Sequence, residues 1–205
     1  MPNFHLSVPL VLASSSEIRQ KMFRDLGIPI TVINPKFDEE SAREKYRDLP
    51  LQKQALALAK GKAASINSIH PGWLVIGADQ ICEIDGEILC KPETQENAIL
   101  QLAKLSGKSH HQHSAAVFIY RGEVIWEAVE TATLTMREMS PEDMEAYVKL
   151  DNPIHCCGAY KYEEHGRHLF ADIKGRDDVI LGMPLLKLLN GLYNHGFMSM
   201  TKLAA

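Results

Sequence analysis

At 205 residues the chain is long enough to bury a substantial core, either as one large domain or as two small lobes. A hydrophobic share of 45% and a charged share of 23% are ordinary for a soluble globular protein. A net charge of -4 argues against a general binder of nucleic acid or anionic membrane, since both need excess Lys and Arg. It does not argue against a small anionic ligand, which feels only the local field.

Met1-Pro2-Asn3-Phe4-His5 has no basic stretch followed by a long apolar run, and no apolar stretch approaches membrane-spanning length. The four cysteines, Cys82, Cys90, Cys156 and Cys157, form no CxxC pair and read as free thiols of a reducing compartment. A cytoplasmic protein is expected.

Val8 to Ala13 reads as a buried strand. Ser14-Ser15-Ser16-Glu17 follows, and Ser14 with Glu17 has the spacing of a capping box. Ile18, Met22, Phe23 and Leu26 then make one helical stripe, which Gly27 ends. Ile28 to Ile33 looks like a second strand, and Lys36 to Arg47 like a polar, mobile loop. A helix from Leu51 to Ile66 carries the stripe Leu51, Ala55, Leu58, Ala59, Lys62 and Ile66, so a lysine falls on the face that should be buried.

The run Trp73-Leu74-Val75-Ile76-Gly77-Ala78 reads as a strand buried on both faces, with Asp79 directly after it. A carboxylate there sits at the carboxyl edge of the sheet, where open α/β folds place ligands. Ile81 to Leu89 is apolar on both sides of Asp85-Gly86, a strong hairpin signal. With that pair as the loop, Ile84 faces Glu87, Cys82 faces Leu89 and Gln80 faces Lys91. Asp79 then lies within one residue of the position opposite Lys91, as a site for phosphate and its metal would require.

A helix over Thr94 to Leu105 closes at Gly107. Ala115 to Tyr120 and Val124 to Arg137 read as antiparallel strands joined at Arg121-Gly122, and Ser140-Pro141-Glu142-Asp143 opens another helix. A less regular stretch leads to a final helix over Pro184 to Leu192. No internal repeat, low-complexity segment or linker is visible, so 1–205 reads as a single domain of two lobes.

The chemistry-bearing residues each have a plain alternative. Ser14, Ser15, Ser16 and Arg19 stand at a helix N-terminus, which binds phosphate readily, but a cap and a solvated arginine fit the spacing as well. Lys62 can bury its stem and lift its ammonium into water. Asp38, Glu39 and Glu40 are most simply a solvated acidic patch, although a metal for nucleotide phosphates needs one or two such carboxylates. His110, His111 and His113, and His155-Cys156-Cys157, lack structural-zinc spacing. There is no P-loop and no dinucleotide fingerprint.

Together, Leu12-Ala13-Ser14-Ser15-Ser16-Glu17-Ile18-Arg19, Asp38-Glu39, Lys62-Ala63, Ile76-Gly77-Ala78-Asp79-Gln80, Asp85 to Pro92, Leu105-Ser106-Gly107, Gly158-Ala159-Tyr160 and Leu181 to Leu185 resemble the Maf family of nucleotide pyrophosphatases, once named for septum formation. The resemblance runs from Leu10 to Leu192. It implies an α/β fold with an elongated, twisted mixed sheet flanked by helices, two lobes around a cleft, like the inosine triphosphate pyrophosphatases. It implies cleavage of a nucleoside triphosphate between the α and β phosphates, with a divalent cation, Mg2+ or Mn2+. Carried over by position, Ser14, Ser16 and Arg19 would hold the phosphates, Lys62 and Lys91 would neutralise them, Glu39 would assist the metal, and Asp79 would be the catalytic carboxylate and a metal ligand.

The family pattern after the serines is Pro-Arg-Arg; here Glu17-Ile18-Arg19 lacks one arginine. Gln80, His155-Cys156, Lys161, Glu163 and Gly175-Arg176-Asp177 resemble the branch that hydrolyses 7-methyl-GTP, with Gln80 and Glu163 selecting the base. The rivals are the same reaction on dTTP and UTP, and a nucleotide-binding regulator of cell division without catalysis. The partner expected is a nucleoside triphosphate, with no nucleic acid and no membrane; a homodimer stays open.

Overall fold

The computed structural model describes residues 4–200; residues 1–3 and 201–205, which include part of the N-terminal stretch read above, lie outside them. In chain order the elements are strand β1 (His5–Leu6), β2 (Leu10–Ala13), helix α1 (Glu17–Asp25), β3 (Thr31–Ile33), α2 (Glu39–Tyr46), α3 (Leu51–Asn67), β4 (Leu74–Ile84) and β5 (Glu87–Leu89). Then come α4 (Gln95–Leu105), β6 (Ser109–Tyr120), β7 (Glu123–Met136), α5 (Pro141–Asp151), a 3-10 helix (His165–Leu169), β8 (Phe170–Lys174), α6 (Asp177–Ile180), α7 (Leu185–Asn194) and β9 (Met198–Ser199). The fold is α/β with a mixed sheet, since β2 pairs in parallel with β3 and β4 while β5 and β8 pair antiparallel with β4 and β7.

The chain divides into two compact units. The first takes residues up to Gln80, Ser114–Glu130 and those from Gly182 on; the second takes Ile81–His113 and Thr131–Leu181. In the first the strand order is β3-β2-β4-β6-β7, with β1 and β9 as a separate antiparallel pair. Leu10 to Ala13 and Leu74 to Ile76 are wholly buried, as strands covered on both faces should be. Gly77 is required by packing: a Cβ there would stand 2.1 Å from the Ala59 carbonyl oxygen and 2.9 Å from Ala63 Cβ. Helix α3 therefore lies directly against β4, with Ala55, Ala59 and Ala63 fully buried.

The second unit holds its own core, in which Cys82, Ile84, Leu102, Leu134, Met136, Tyr160 and Phe170 cluster. Here β5 pairs with β4, and Ile84 faces Glu87 as the hairpin reading required. Asp85 and Gly86 both take positive φ, 53 and 81, the mirror-image turn that matches strand twist. Arg121 and Gly122, at 53 and 82, turn β6 into β7 in the same way. Ser140 and Asp143 form the complete capping box of α5.

The structure corrects several expectations. Residues 39–46 form a helix, not a mobile loop: Asp38 caps it through Ser41 N–H, and Glu39 pairs with Arg43 one turn on. Ser16, not Ser14, caps α1: the helix begins at Glu17, and Ser16 Oγ accepts from Arg19 N–H. Strand β4 runs through Asp79 to Ile84, so Asp79 lies within a strand, not after one. The first strand pairing of β4 stops at Ala13 opposite Gly77 and the second starts at Leu89 opposite Cys82. Residues 78–81 lie between, which is what a break in the sheet's edge looks like from the sequence. β6 starts at Ser109, six residues before the expected Ala115, and β8 was not foreseen.

Candidate active site

The residues singled out in the first unit gather at the interval of β4 between its pairings with β2 and with β5. Asp79 is 4% exposed, and its Oδ1 accepts a hydrogen bond from Lys62 Nζ at 2.5 Å. Lys62 comes from α3, whose close seat on Gly77 brings it alongside β4. Its side chain is 12% exposed, so the apolar-stripe position does bury it, and its ammonium turns inward to carboxylates instead of outward to water. The same Nζ lies 2.8 Å from Glu39 Oε2. Glu39 Oε1 in turn accepts from Arg43 Nη2 at 2.7 Å, and that nitrogen stands 3.9 Å from Asp79 Oδ2.

Two carboxylates and two cations thus alternate within a few ångströms. Burial pushes the Glu39 carboxyl up, but Lys62 and Arg43 outweigh it and bring it down to about 2. Asp79 Oδ2 is buried and has no hydrogen-bond partner among the described residues. A buried carboxylate oxygen in that condition has an electron pair to offer a proton, a water or a hard cation.

The β2–α1 junction supplies polar groups in the same unit. Ser14 Oγ accepts from Ser16 N–H at 3.1 Å, and Ser16 Oγ accepts from Arg19 N–H at 3.4 Å. Both hydroxyl oxygens act as acceptors there, which leaves each O–H proton to be donated elsewhere. Arg19 Nε donates to Gly182 O at 2.8 Å and Nη1 to Ala78 O at 3.1 Å. Its guanidinium therefore meets the carbonyl of Ala78, next to Asp79, in the interval between the pairings of β4 with β2 and with β5. Gly182, at φ +107, lets this happen: a Cβ there would meet Arg19 Nε at 3.3 Å and Gln80 Oε1 at 3.5 Å.

Lys91 and Glu163 belong to the second unit. The β4–β5 ladder ends at Cys82 opposite Leu89, so no pairing carries the register on to Gln80 opposite Lys91. Lys91 instead shares surroundings with Glu163. Burial and then Glu163 push the Cys156 thiol up to about 11, while Lys161 and Lys91 oppose them. The histidines of β6 behave as strand residues: His110 Nε2 meets the Tyr160 hydroxyl at 2.8 Å, and His111 and His113 meet Thr133 and Thr131 at 3.0 and 2.8 Å.

Arg43 was missed by the sequence reading. Its signal was present as Asp38, an N-cap, followed by Glu39 and Arg43 at helical i,i+4 spacing.

The model of the Maf family, described as Maf-like protein, matches residues 9–195. The chain belongs to the Maf family. A relative from Legionella pneumophila subsp. pneumophila, named nucleoside triphosphate pyrophosphatase, is 37% identical over 95% of this Maf chain and 97% of its own. Another of the same name from Ruegeria pomeroyi is 40% identical, covering 93% of the Maf chain and 98% of its own. The solved structure of the Staphylococcus aureus Ham1 protein aligns over 92% of this chain and 99% of that one, at 14% identity and a TM-score of 0.44.

Proposed function

We propose that this Maf chain is a nucleoside triphosphate pyrophosphatase, a hydrolase that cleaves between the α and β phosphates to give a monophosphate and pyrophosphate. Its favoured substrate is 7-methyl-GTP. The observation that carries the reaction is Asp79, buried, held at one oxygen by Lys62 and carrying no hydrogen bond at the other. Family membership and the names of its relatives support the same reading.

In this reading Asp79 Oδ2 takes the proton of the attacking water, and Lys62 holds the carboxylate in place through Oδ1. Ser14 and Ser16 donate their hydroxyl protons to phosphate oxygens, and Arg19, Lys62 and Lys91 neutralise the triphosphate. The residues fit a divalent cation, Mg2+ or Mn2+: Asp79 Oδ2 is an orphaned hard donor, and Glu39 is a second carboxylate beside it, deprotonated at neutral pH. When bound, such an ion supplies positive charge to the phosphoryl oxygens and lowers the pKa of water. Gln80 and Glu163 select the base, because a carboxylate suits the positive charge and N–H donors of 7-methylguanine better than it suits uracil or thymine. Four free thiols and the absence of a helix long and apolar enough to cross a membrane, among the described residues, go with a cytoplasmic enzyme.

Pyrophosphate release measured over 7-methyl-GTP, UTP and dTTP tests this reading. Turnover should be fastest on 7-methyl-GTP, and Glu163→Gln should lower kcat/KM on it about ten- to hundredfold more than on UTP. Faster hydrolysis of UTP or dTTP sinks the choice of base. No release from any nucleotide sinks the reaction and leaves the non-catalytic regulator.

A further inference from the structure

Among the described residues, one group of three ligand-bearing side chains has its donor atoms all within 4.8 Å of one another: Asp151, Glu164 and His165. All three belong to the second unit and share no residue with the carboxylates around Lys62. Asp151 is the last residue of α5, and Glu164 and His165 open the 3-10 helix. Asp151 Oδ1 accepts from His165 Nδ1 at 2.6 Å, and the Asp151 side chain is 0% exposed.

Two physical facts make this carboxylate ask for a cation. It sits at the C-terminal end of a helix, where the macrodipole is negative and an anion is disfavoured. Its second oxygen, Oδ2, is buried without a hydrogen bond of ordinary geometry among the described residues, although the Tyr147 hydroxyl lies close enough to the carboxylate to interact with it. Glu164 has the half-buried Lys161 ammonium 3.4 Å from its Oε1, a weak contact near solvent.

We propose that Asp151, Glu164 and His165 form a site for a first-row divalent transition ion of the zinc type. The donor set decides the class. One imidazole nitrogen with two carboxylates suits Zn2+ and its neighbours, whereas Mg2+ and Ca2+ take oxygen ligands alone. Three protein ligands leave a fourth tetrahedral position for water. Two ligands on such an ion stand about 3.3 Å apart, so the 2.6 Å contact opens by less than an ångström as the exposed His165 ring turns. The ion takes the place of the hydrogen between Nδ1 and Oδ1. That proton leaves to solvent from an imidazolium, or is exchanged onto Nε2 from a neutral ring.

The test uses the full chain, stripped with a chelator, kept in excess Mg2+ and titrated with Zn2+ by calorimetry. One equivalent should bind, and His165→Ala and Glu164→Gln, both at exposed side chains, should each weaken it at least about tenfold. Asp79→Asn should leave the isotherm unchanged. The proposal is overturned when the unmodified chain takes up no Zn2+, as a plain imidazolium–carboxylate pair requires. It is equally overturned when both ligand variants bind as the unmodified chain does, or when Asp79→Asn abolishes binding.

Discussion

The arrangement around Asp79 is asymmetric, and the asymmetry can be measured. At an effective dielectric of about 20, the Lys62–Asp79 contact of 2.5 Å amounts to about 7 kcal/mol of gross attraction. Desolvation of two such ions costs several kcal/mol each, so the intact pair comes close to breaking even. Its halves do not. Lys62→Met leaves a buried carboxylate whose nearest cation among the described residues is Arg43 at 3.9 Å, and should lower stability by about 3–5 kcal/mol. Asp79→Asn leaves Lys62 paired with Glu39 at 2.8 Å, and should cost no more than about 1.5 kcal/mol. The double variant, free of the stranded charge, should be more stable than Lys62→Met alone. Urea unfolding of the three variants supplies these numbers, and pyrophosphate release from 7-methyl-GTP supplies the activities, which should be abolished wherever Asp79 is changed. A Lys62→Met protein as stable as the parent would refute the charge argument. Near-normal turnover by Asp79→Asn would remove Asp79 from its proposed role.

Two further outcomes follow from local packing. Gly77→Ala places a methyl 2.1 Å from the Ala59 carbonyl, a backbone atom that cannot rotate away, so it should destabilise by at least about 1–3 kcal/mol in urea melts. Asp38→Ala removes the cap of a helix that buries only Ala42, and should cost about 1 kcal/mol, with faster amide exchange over residues 39–46.

What the sequence revealed was governed by local chemistry. The turns at Asp85-Gly86 and Arg121-Gly122, the box at Ser140 and the burial of Lys62 all follow from spacing within one element. Asp79 was singled out for a partly wrong reason. Its strand does not end there; only the partner β2 ends, and where a partner stops is not written in the strand that it leaves. Helix α2 was missed because it has caps and an ion pair but almost no apolar stripe. The start of β6 was missed because His110, Gln112 and His113 are buried polar residues, kept inside by Tyr160 and Thr131 from distant segments. The hairpin register was right where it is paired, and was extended two residues too far toward Lys91.

Lys91 and Glu163 can be tested as neighbours without any nucleotide, through Cys156. Its thiol is held at about 11 against an ordinary 9.0, by burial first and Glu163 next, with Lys161 and Lys91 pulling down. At pH 8 that shift leaves about a hundredfold less thiolate, and the thiolate is the species that alkylates. Glu163→Gln removes a raising influence and should speed iodoacetamide labelling of Cys156 several-fold, though burial keeps it slow. Lys91→Met removes a lowering influence and should slow it. Cys156 is half-buried, so access also limits the rate, but loosening of the fold would speed labelling in both variants alike. Opposite signs are therefore the signature of charge. Peptide mass spectrometry, with isotope-labelled unmodified protein in the same tube as reference, reads both rates in one experiment. Changes of the same sign in both variants, or no change in Glu163→Gln, would show that these two residues do not share the surroundings of Cys156, and the base pocket assigned to Glu163 would lose its neighbouring phosphate-binding lysine.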